Sequence, residues 1–290
     1  MNTPALDKRK RAIFLDLDGT LWDREVVPES AWQAINQARA NGHLVFVNTG
    51  RREDSIPQFL WDAKLDGYCL ATGMKLIANG EVVASHAMDK EAVEKIAAYL
   101  NSQGSGYGLE ADLITFDDPK YAFRHKVFFD KEQRLEKNLR VPLSRLNDEL
   151  KEEIVKVVFD CEHRFPLEEK AKELGFDLLI YSNRFTPVGD MGSLFRGEIT
   201  DARWNKAHAM RSMLQAMKLD PNDYLITAIG DSENDIPMFE EADVAICMGN
   251  GTNHAKQHAD HLSDHINEDG LAKALVWLGT CSFEDIKTKE

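Results

Sequence analysis

Short apolar runs that stop abruptly at polar residues divide this chain of 290 residues. Ala12-Ile13-Phe14-Leu15 ends at Asp16, and a run apolar on both faces marks a buried parallel strand. Residues 28–40 carry Ala31, Ile35 and Ala38 at helical spacing, with Asn41-Gly42 as the stop. Leu44-Val45-Phe46-Val47 is a second buried strand, a helix is expected over about 53–64, and a third strand lies near 68–71. This alternation predicts a doubly wound parallel sheet. The rhythm then changes. Asn79-Gly80 between two apolar runs signals a hairpin. Helices are expected over 89–100 and 167–174, with strands at 113–116, 126–129, 154–159 and 178–181. That mixed order fits an α+β domain with an open antiparallel sheet. From about 205 the alternation returns: helix 206–217, strand 224–229, a helix from 236, strand 244–247 and a terminal helix over 270–278. The reading is an α/β fold, a Rossmann-like doubly wound core made of 1–85 and 198–290, with an α+β cap domain inserted at 86–197.

Composition narrows the function. Hydrophobic residues make up 43% and charged residues 29%, which fits a globular chain and excludes a disordered or fibrous one. No apolar stretch approaches the roughly 18–20 residues of a membrane span. The four cysteines are far apart, which excludes a disulfide scaffold and fits the cytoplasm as the expected location. Asp16 and Asp18 interrupt the first apolar run too early for a signal-peptide core. The net charge of −14 speaks against a nucleic-acid partner. An acidic protein that takes an anionic substrate needs local compensation, by a metal cation and well-placed basic side chains. Residues 86–197 hold 17 basic and 21 acidic residues and the flanks hold 18 and 28, so the acidic excess lies in the two ends.

Those ends carry the candidate chemistry, just past predicted strands, where open α/β sheets bind ligands. Asp16-Leu17-Asp18-Gly19-Thr20-Leu21 places two carboxylates two residues apart, an arrangement that raises a pKa or calls for a cation. In Asn48-Thr49-Gly50-Arg51 a hydroxyl and the Gly50 amide can hold a phosphate oxygen. Lys206 opens the helix that re-enters the core and is placed to neutralise charge. Gly230-Asp231-Ser232-Glu233-Asn234-Asp235 ends a buried strand in a cluster of acids and an amide. Asp16, Asp18, Asp231 and Asp235 together form an oxygen-donor set for a hard divalent ion such as Mg²⁺.

In these four motifs and their order the sequence resembles the haloacid dehalogenase superfamily, in its Cof-type branch with an inserted α/β cap. The resemblance implies a phosphatase. Asp16 would be the nucleophile that forms an aspartyl-phosphate, and Asp18 the general acid and then base. Lys206 would neutralise charge as a catalytic and phosphate-binding residue. Thr49, Gly50 and Asn234 would hold the phosphoryl oxygens. Mg²⁺ would be bound by Asp16, the Asp18 backbone carbonyl and Asp231, with Asp235 behind them orienting Lys206 or a metal-bound water. The phrase before the lysine departs from the family's usual Gly-x-Ser-Lys-Gly and reads Ala202-Arg203-Trp204-Asn205-Lys206-Ala207, so Arg203 is the neighbouring basic residue to weigh. The segment 189–197 is longer than a typical hinge and is expected to form a loop over the site mouth.

The cap of this family closes over the leaving group and sets specificity, and Arg124, His125, Lys126, Asn183 and Arg184 are the residues expected to meet it. His254, His258, His261 and His265 could share a helix face and hold zinc, but lack a supporting context and read as surface histidines. The expected substrate is a small phosphorylated metabolite, such as a sugar phosphate. A phosphotransferase or sugar-phosphate mutase on the same scaffold is the alternative, and a non-catalytic binding protein is disfavoured by the intact Asp16/Asp18 pair. No membrane partner is expected. The sequence does not set the oligomeric state, with which a monomer is compatible.

Overall fold

The computed structural model describes residues 7–125, 139–181, 194–220 and 222–286. The first part of the chain forms β1 (Lys10–Leu15), α1 (Glu29–Ala40), β2 (Leu44–Asn48), α2 (Gln58–Asp62), β3 (Gly67–Leu70), β4 (Lys75–Ala78) and β5 (Glu81–Ser85). The middle forms α3 (Lys90–Ser102), β6 (Gly106–Glu110), β7 (Ile114–Asp117), α4 (Pro119–Arg124), β8 (Leu139–Pro142), β9 (Lys156–Cys161), α5 (Leu167–Glu173), β10 (Phe176–Tyr181) and β11 (Phe195–Asp201). The last part forms α6 (Lys206–Ala216), β12 (Tyr224–Gly230), α7 (Ile236–Glu241), β13 (Val244–Cys247), α8 (Asn253–Gln257), β14 (His261–Leu262) and α9 (Gly270–Trp277).

The chain divides into two compact units. Residues 1–51, 57–85 and 205–290 form the first, and residues 52–56 and 86–204 the second. In the first, an eight-stranded sheet runs β14-β13-β12-β1-β2-β3-β4-β5, parallel as far as β3 and antiparallel thereafter. β1 lies at its centre because Ala12, Ile13, Phe14 and Leu15 are all fully buried. Phe14 stacks on Phe46 of β2 with ring centroids 4.7 Å apart, and the same face packs Met210 and Met213 of α6 and Phe239 of α7. Ile13, Leu15, Val45 and Val47 point the other way by the strand's period of two. Each such burial contributes about 1.5–3 kcal/mol. The hairpin β4–β5 turns on Asn79-Gly80 with both φ angles positive, 51° and 81°, as the sequence signal requires. Its outer strand β5 leaves Val82 and Val83 exposed, and the β4–β5 register shifts between Leu76 and Ile77.

In the second unit a six-stranded sheet runs β10-β11-β9-β6-β7-β8, antiparallel except for β7 beside β8. β9 alternates Lys156, Val158 and Asp160 with Val157, Phe159 and Cys161, so one face of the sheet is polar. Some of its charges are paired in place. Lys156 Nζ meets Glu198 at 2.7 Å, Tyr181 Oη donates to the same carboxylate oxygen at 2.6 Å, and Arg140 bonds Asp117 from Nε at 2.8 Å. Arg52 is buried among the Ala111 and Ile114 carbonyls, Thr115, Asp54 and Glu110.

Several sequence expectations are corrected. The helix expected over 53–64 is a short 3-10 turn, Glu53–Ser55, followed by α2, because Pro57 drives Ile56 out of the helical region. The strand β6 was hidden by Gly106 and Gly108. Phe195, Arg196 and Gly197, read as part of a loop over the site, lie in β11, which runs to Asp201 within the second unit. The rest of that segment that precedes residue 194, and the strand expected over 126–129, lie outside the described residues. None of the four cysteines forms a disulfide, and three of them are buried. Among the described residues no helix is long and apolar enough to cross a membrane.

Candidate active site

β12, β1 and β2 are neighbours, with Leu15 opposite Ile229 on one side and Val47 on the other. Asp16, Thr49 and Asp231 therefore follow three adjacent strands at one edge of the sheet. The Asp16 amide donates to the Ile229 carbonyl at 3.0 Å, which continues the ladder to the residue that carries the carboxylate.

Lys206, the first residue of α6, is wholly buried. Its ammonium donates to Asp16 Oδ1 at 2.6 Å and to Asp235 Oδ1 at 2.5 Å. The helix start is fixed twice. Asn205 accepts the His208 N–H as N-cap, and Asn48 Nδ2 donates to the Lys206 carbonyl at 2.8 Å. The unusual residues before the lysine thus still deliver it to the acids. Arg203, the alternative cation, is exposed and held by Asp201 in the second unit. Asp235 Oδ2 accepts the amides of Asp231 and Ser232 at 2.8 and 2.9 Å, so both its oxygens are committed, one to the backbone and one to Lys206.

Asp231 is differently placed. Its Oδ1 is buried with no hydrogen-bond partner. Gly19 makes room for it: a Cβ there would lie 2.3 Å from Asp231 Oδ2, and Gly19 has φ +83°. Asn250 Nδ2 donates to the Gly19 carbonyl at 2.7 Å and holds this turn in place. Carboxylate oxygens of Asp16, Asp231 and Asp235 lie within 4.8 Å of one another, and no other group of three such ligands occurs among the described residues. Burial, and then the charges of Asp16 and Asp235, pushes the Asp231 carboxyl up to about 8. Burial pushes Asp16 up to about 7 against the pull of Lys206. Burial also works against the Lys206 charge, yet Asp16 and Asp235 hold its pKa above the ordinary lysine value. Three carboxylates facing one ammonium leave an excess of negative charge, and the buried Asp231 oxygen without a hydrogen-bond partner can serve as a ligand atom. A hard divalent cation such as Mg²⁺ fits both, since the donors are all oxygen.

The structure corrects the membership of the acidic cluster. The Asp18 side chain is not among the three gathered carboxylates. It is half-exposed and turns to Arg51, whose Nε and Nη2 each donate to one of its oxygens at 2.7 Å, and to Trp22 Nε1 at 2.9 Å. Thr49 is buried and its Oγ1 accepts the Arg51 amide at 3.1 Å, which leaves the hydroxyl proton to donate. Asn234 Oδ1 accepts from Ser232 Oγ at 2.9 Å, which leaves its amide N–H groups as donors. Gly50 lies between Thr49 and Arg51 in the same loop. In the second unit Arg124 is held by Asp160 and, at 2.7 Å, by Glu162, while His125 Nε2 lies 2.9 Å from Asp160. Lys126, Asn183 and Arg184 lie outside the described residues. The four C-terminal histidines do not share a helix, because α8 ends at Gln257. His258 pairs with Glu240 and His261 stacks on Trp277.

Sequence reading passed over Asn48, Asn250 and Trp22 and gave Arg51 no role. A polar Asn48 closing a buried strand beside Thr49 was the available signal.

Comparison with known proteins adds to this geometry. A family profile described as haloacid dehalogenase-like hydrolase matches residues 13–275. The Bacillus subtilis (strain 168) 5-amino-6-(5-phospho-D-ribitylamino)uracil phosphatase YcsE is 23% identical across 91% of this chain and 94% of its own. YwtE, a phosphatase of the same name from the same organism, is 25% identical across 90% and 96%. Among solved structures, the HAD subclass IIB sugar phosphatase BT4131 superimposes with a TM-score of 0.72 over 94% of this chain and 100% of that one, at 23% identity, a likeness of fold.

Proposed function

The chain belongs to the haloacid dehalogenase-like hydrolases, and from that membership we propose that it is a Mg²⁺-dependent phosphatase of small phosphorylated metabolites, sugar phosphates foremost, that works through an aspartyl-phosphate on Asp16. The observation that carries the reading is the buried ammonium of Lys206 shared between Asp16 and Asp235, beside an Asp231 oxygen with no partner.

The roles follow from what each side chain can do. Lys206 fixes one Asp16 oxygen and leaves the other to attack phosphorus. Asp235 spends both oxygens on holding Lys206 and the Asp231 turn, so it serves the site without touching substrate. The Thr49 hydroxyl, the Gly50 amide and the Asn234 amide supply donors for the phosphoryl oxygens. Asp18 gives its proton to the leaving oxygen, then takes one from the water that opens the aspartyl-phosphate. Asp16, Asp231 and the Asp18 carbonyl would hold Mg²⁺, which would supply charge neutralisation for the phosphoryl group.

Phosphate release from p-nitrophenyl phosphate and a panel of sugar phosphates tests the reading. Activity is expected with Mg²⁺, lost in EDTA and lost in Asp16→Asn. Full turnover in chelator, or an active Asp16→Asn, overturns it. Transfer to an added sugar hydroxyl in preference to water would make the enzyme a phosphotransferase.

A further inference from the structure

Arg51 is held on every side. Its amide donates to Thr49 Oγ1 at 3.1 Å and its carbonyl accepts from Ala71 at 2.8 Å. Its guanidinium lies over the Trp22 ring, 5.0 Å from the centroid. Nη1 meets Glu25 at 3.0 Å, while Nε and Nη2 take the two oxygens of Asp18. Glu25 reaches this position from a turn in which Arg24 and Glu25 adopt positive φ angles of 50° and 63°, a conformation held by reciprocal Asp23–Val26 backbone bonds. The Trp22 indole N–H occupies Asp18 Oδ1 as well.

A carboxylate offers about four lone-pair sites. The Arg51 fork takes one on each oxygen and Trp22 takes the second on Oδ1. One site remains, on Oδ2. We propose that Arg51 is a positioning residue that aims Asp18: it fixes the carboxyl torsion so that a single lobe of Oδ2 exchanges the proton with the leaving oxygen. Glu25 balances the Arg51 charge and keeps the guanidinium turned to Asp18. The assignment rests on the phosphatase reading above and on Asp18 as its acid. In the step concerned, the Asp16 oxygen–phosphorus bond forms, the ester oxygen–phosphorus bond breaks, and the Asp18 proton passes to the departing oxygen. A fork is needed because a lysine has no fixed pair of donors for both oxygens.

Matched aryl esters test it. p-Nitrophenol leaves readily without a proton; phenol needs one. In Arg51→Ala, kcat/KM for phenyl phosphate is expected to fall about 100-fold, in the range set by loss of general-acid catalysis. For p-nitrophenyl phosphate it is expected to fall threefold or less, which also reports that the variant is folded. Asp18→Asn should lose phenyl phosphate turnover at least as far as Arg51→Ala, and the double variant should lose no more than Asp18→Asn alone. Arg51→Lys should stay as selective against phenyl phosphate as Arg51→Ala. Equal losses on both esters would make Arg51 a ligand of the phosphoryl group and overturn the proposal, as would no loss on either or a fully active Arg51→Lys. A parent protein that releases phosphate from neither ester refutes the phosphatase reading instead.

Discussion

Replacing Lys206 with methionine probes the site most directly. The ammonium is fully buried, and its partners Asp16 and Asp235 have almost no exposed side-chain surface. Methionine fills a similar volume but leaves two buried carboxylates without their counter-charge. Breaking a buried pair by removing one partner costs about 3–5 kcal/mol. For a unit of this size each kcal/mol lowers the melting temperature by about 2–4 °C, so a fall of roughly 10 °C is expected at pH 8 without metal. Without the ammonium, burial holds the folded pKa of Asp16 above its unfolded one. Such a group contributes stability below the unfolded value and loses it as pH rises through the folded one, so the deficit must shrink as pH is lowered from 8 to 5. Asp235→Asn in the Lys206→Met background should recover part of the loss, since one stranded charge remains instead of two. Calorimetry checks this, with the transition of the first unit recognised by its shift on adding Mg²⁺. Phosphate release should fall about 100- to 1,000-fold in parallel. A Lys206→Met protein that melts with the parent at pH 8 would refute the argument, because Lys206 could not then be neutralising Asp16 and Asp235.

Three further outcomes are expected. With Asp231 raised to about 8 and Asp16 to about 7, the metal-free protein should lose melting temperature as pH rises from 5 to 8; Mg²⁺ should level the slope and Asp231→Asn should flatten it without metal, whereas a flat parent profile would contradict the reading. Gly19→Ala forces a methyl to within 2.3 Å of Asp231 Oδ2 in left-handed backbone, so the Mg²⁺ concentration for half-activity should rise about 10-fold or more, measured by metal titration of phosphate release. Arg52→Ala strips the Ala111 carbonyl of its donor and the Ile114 carbonyl of one of two, and should make the β6–β7 turn an early site of limited proteolysis while the first unit keeps its Mg²⁺-dependent transition.

The parts of the fold legible in sequence were those whose signal is local. Ala12 to Leu15 and Leu44 to Val47 announce buried strands because the parallel sheet needs apolar side chains on both faces. Asn79-Gly80 names its own turn. What stayed hidden depends on partners distant in the chain. Gly106 and Gly108 read as breakers, yet in β6 their missing side chains admit Tyr121, Asp160 and Asp117. The Asp16, Lys206 and Asp231 motifs were readable because each sits at a strand or helix end. That Asp18 turns away from those acids was not readable, since Arg51 and Trp22 act on it through side-chain geometry that spacing does not encode.

β5 is the last strand on its side of the core sheet, and Val82 and Val83 lie uncovered on it. An uncovered border of this kind invites a neighbouring molecule to extend it. Here the ribbon is only five residues long, begins with Glu81, and is bent where the pairing slips after Leu76. A substitution that straightened it, far from any reacting atom, would therefore surface as precipitation in concentrated samples while turnover per dissolved molecule stayed the same.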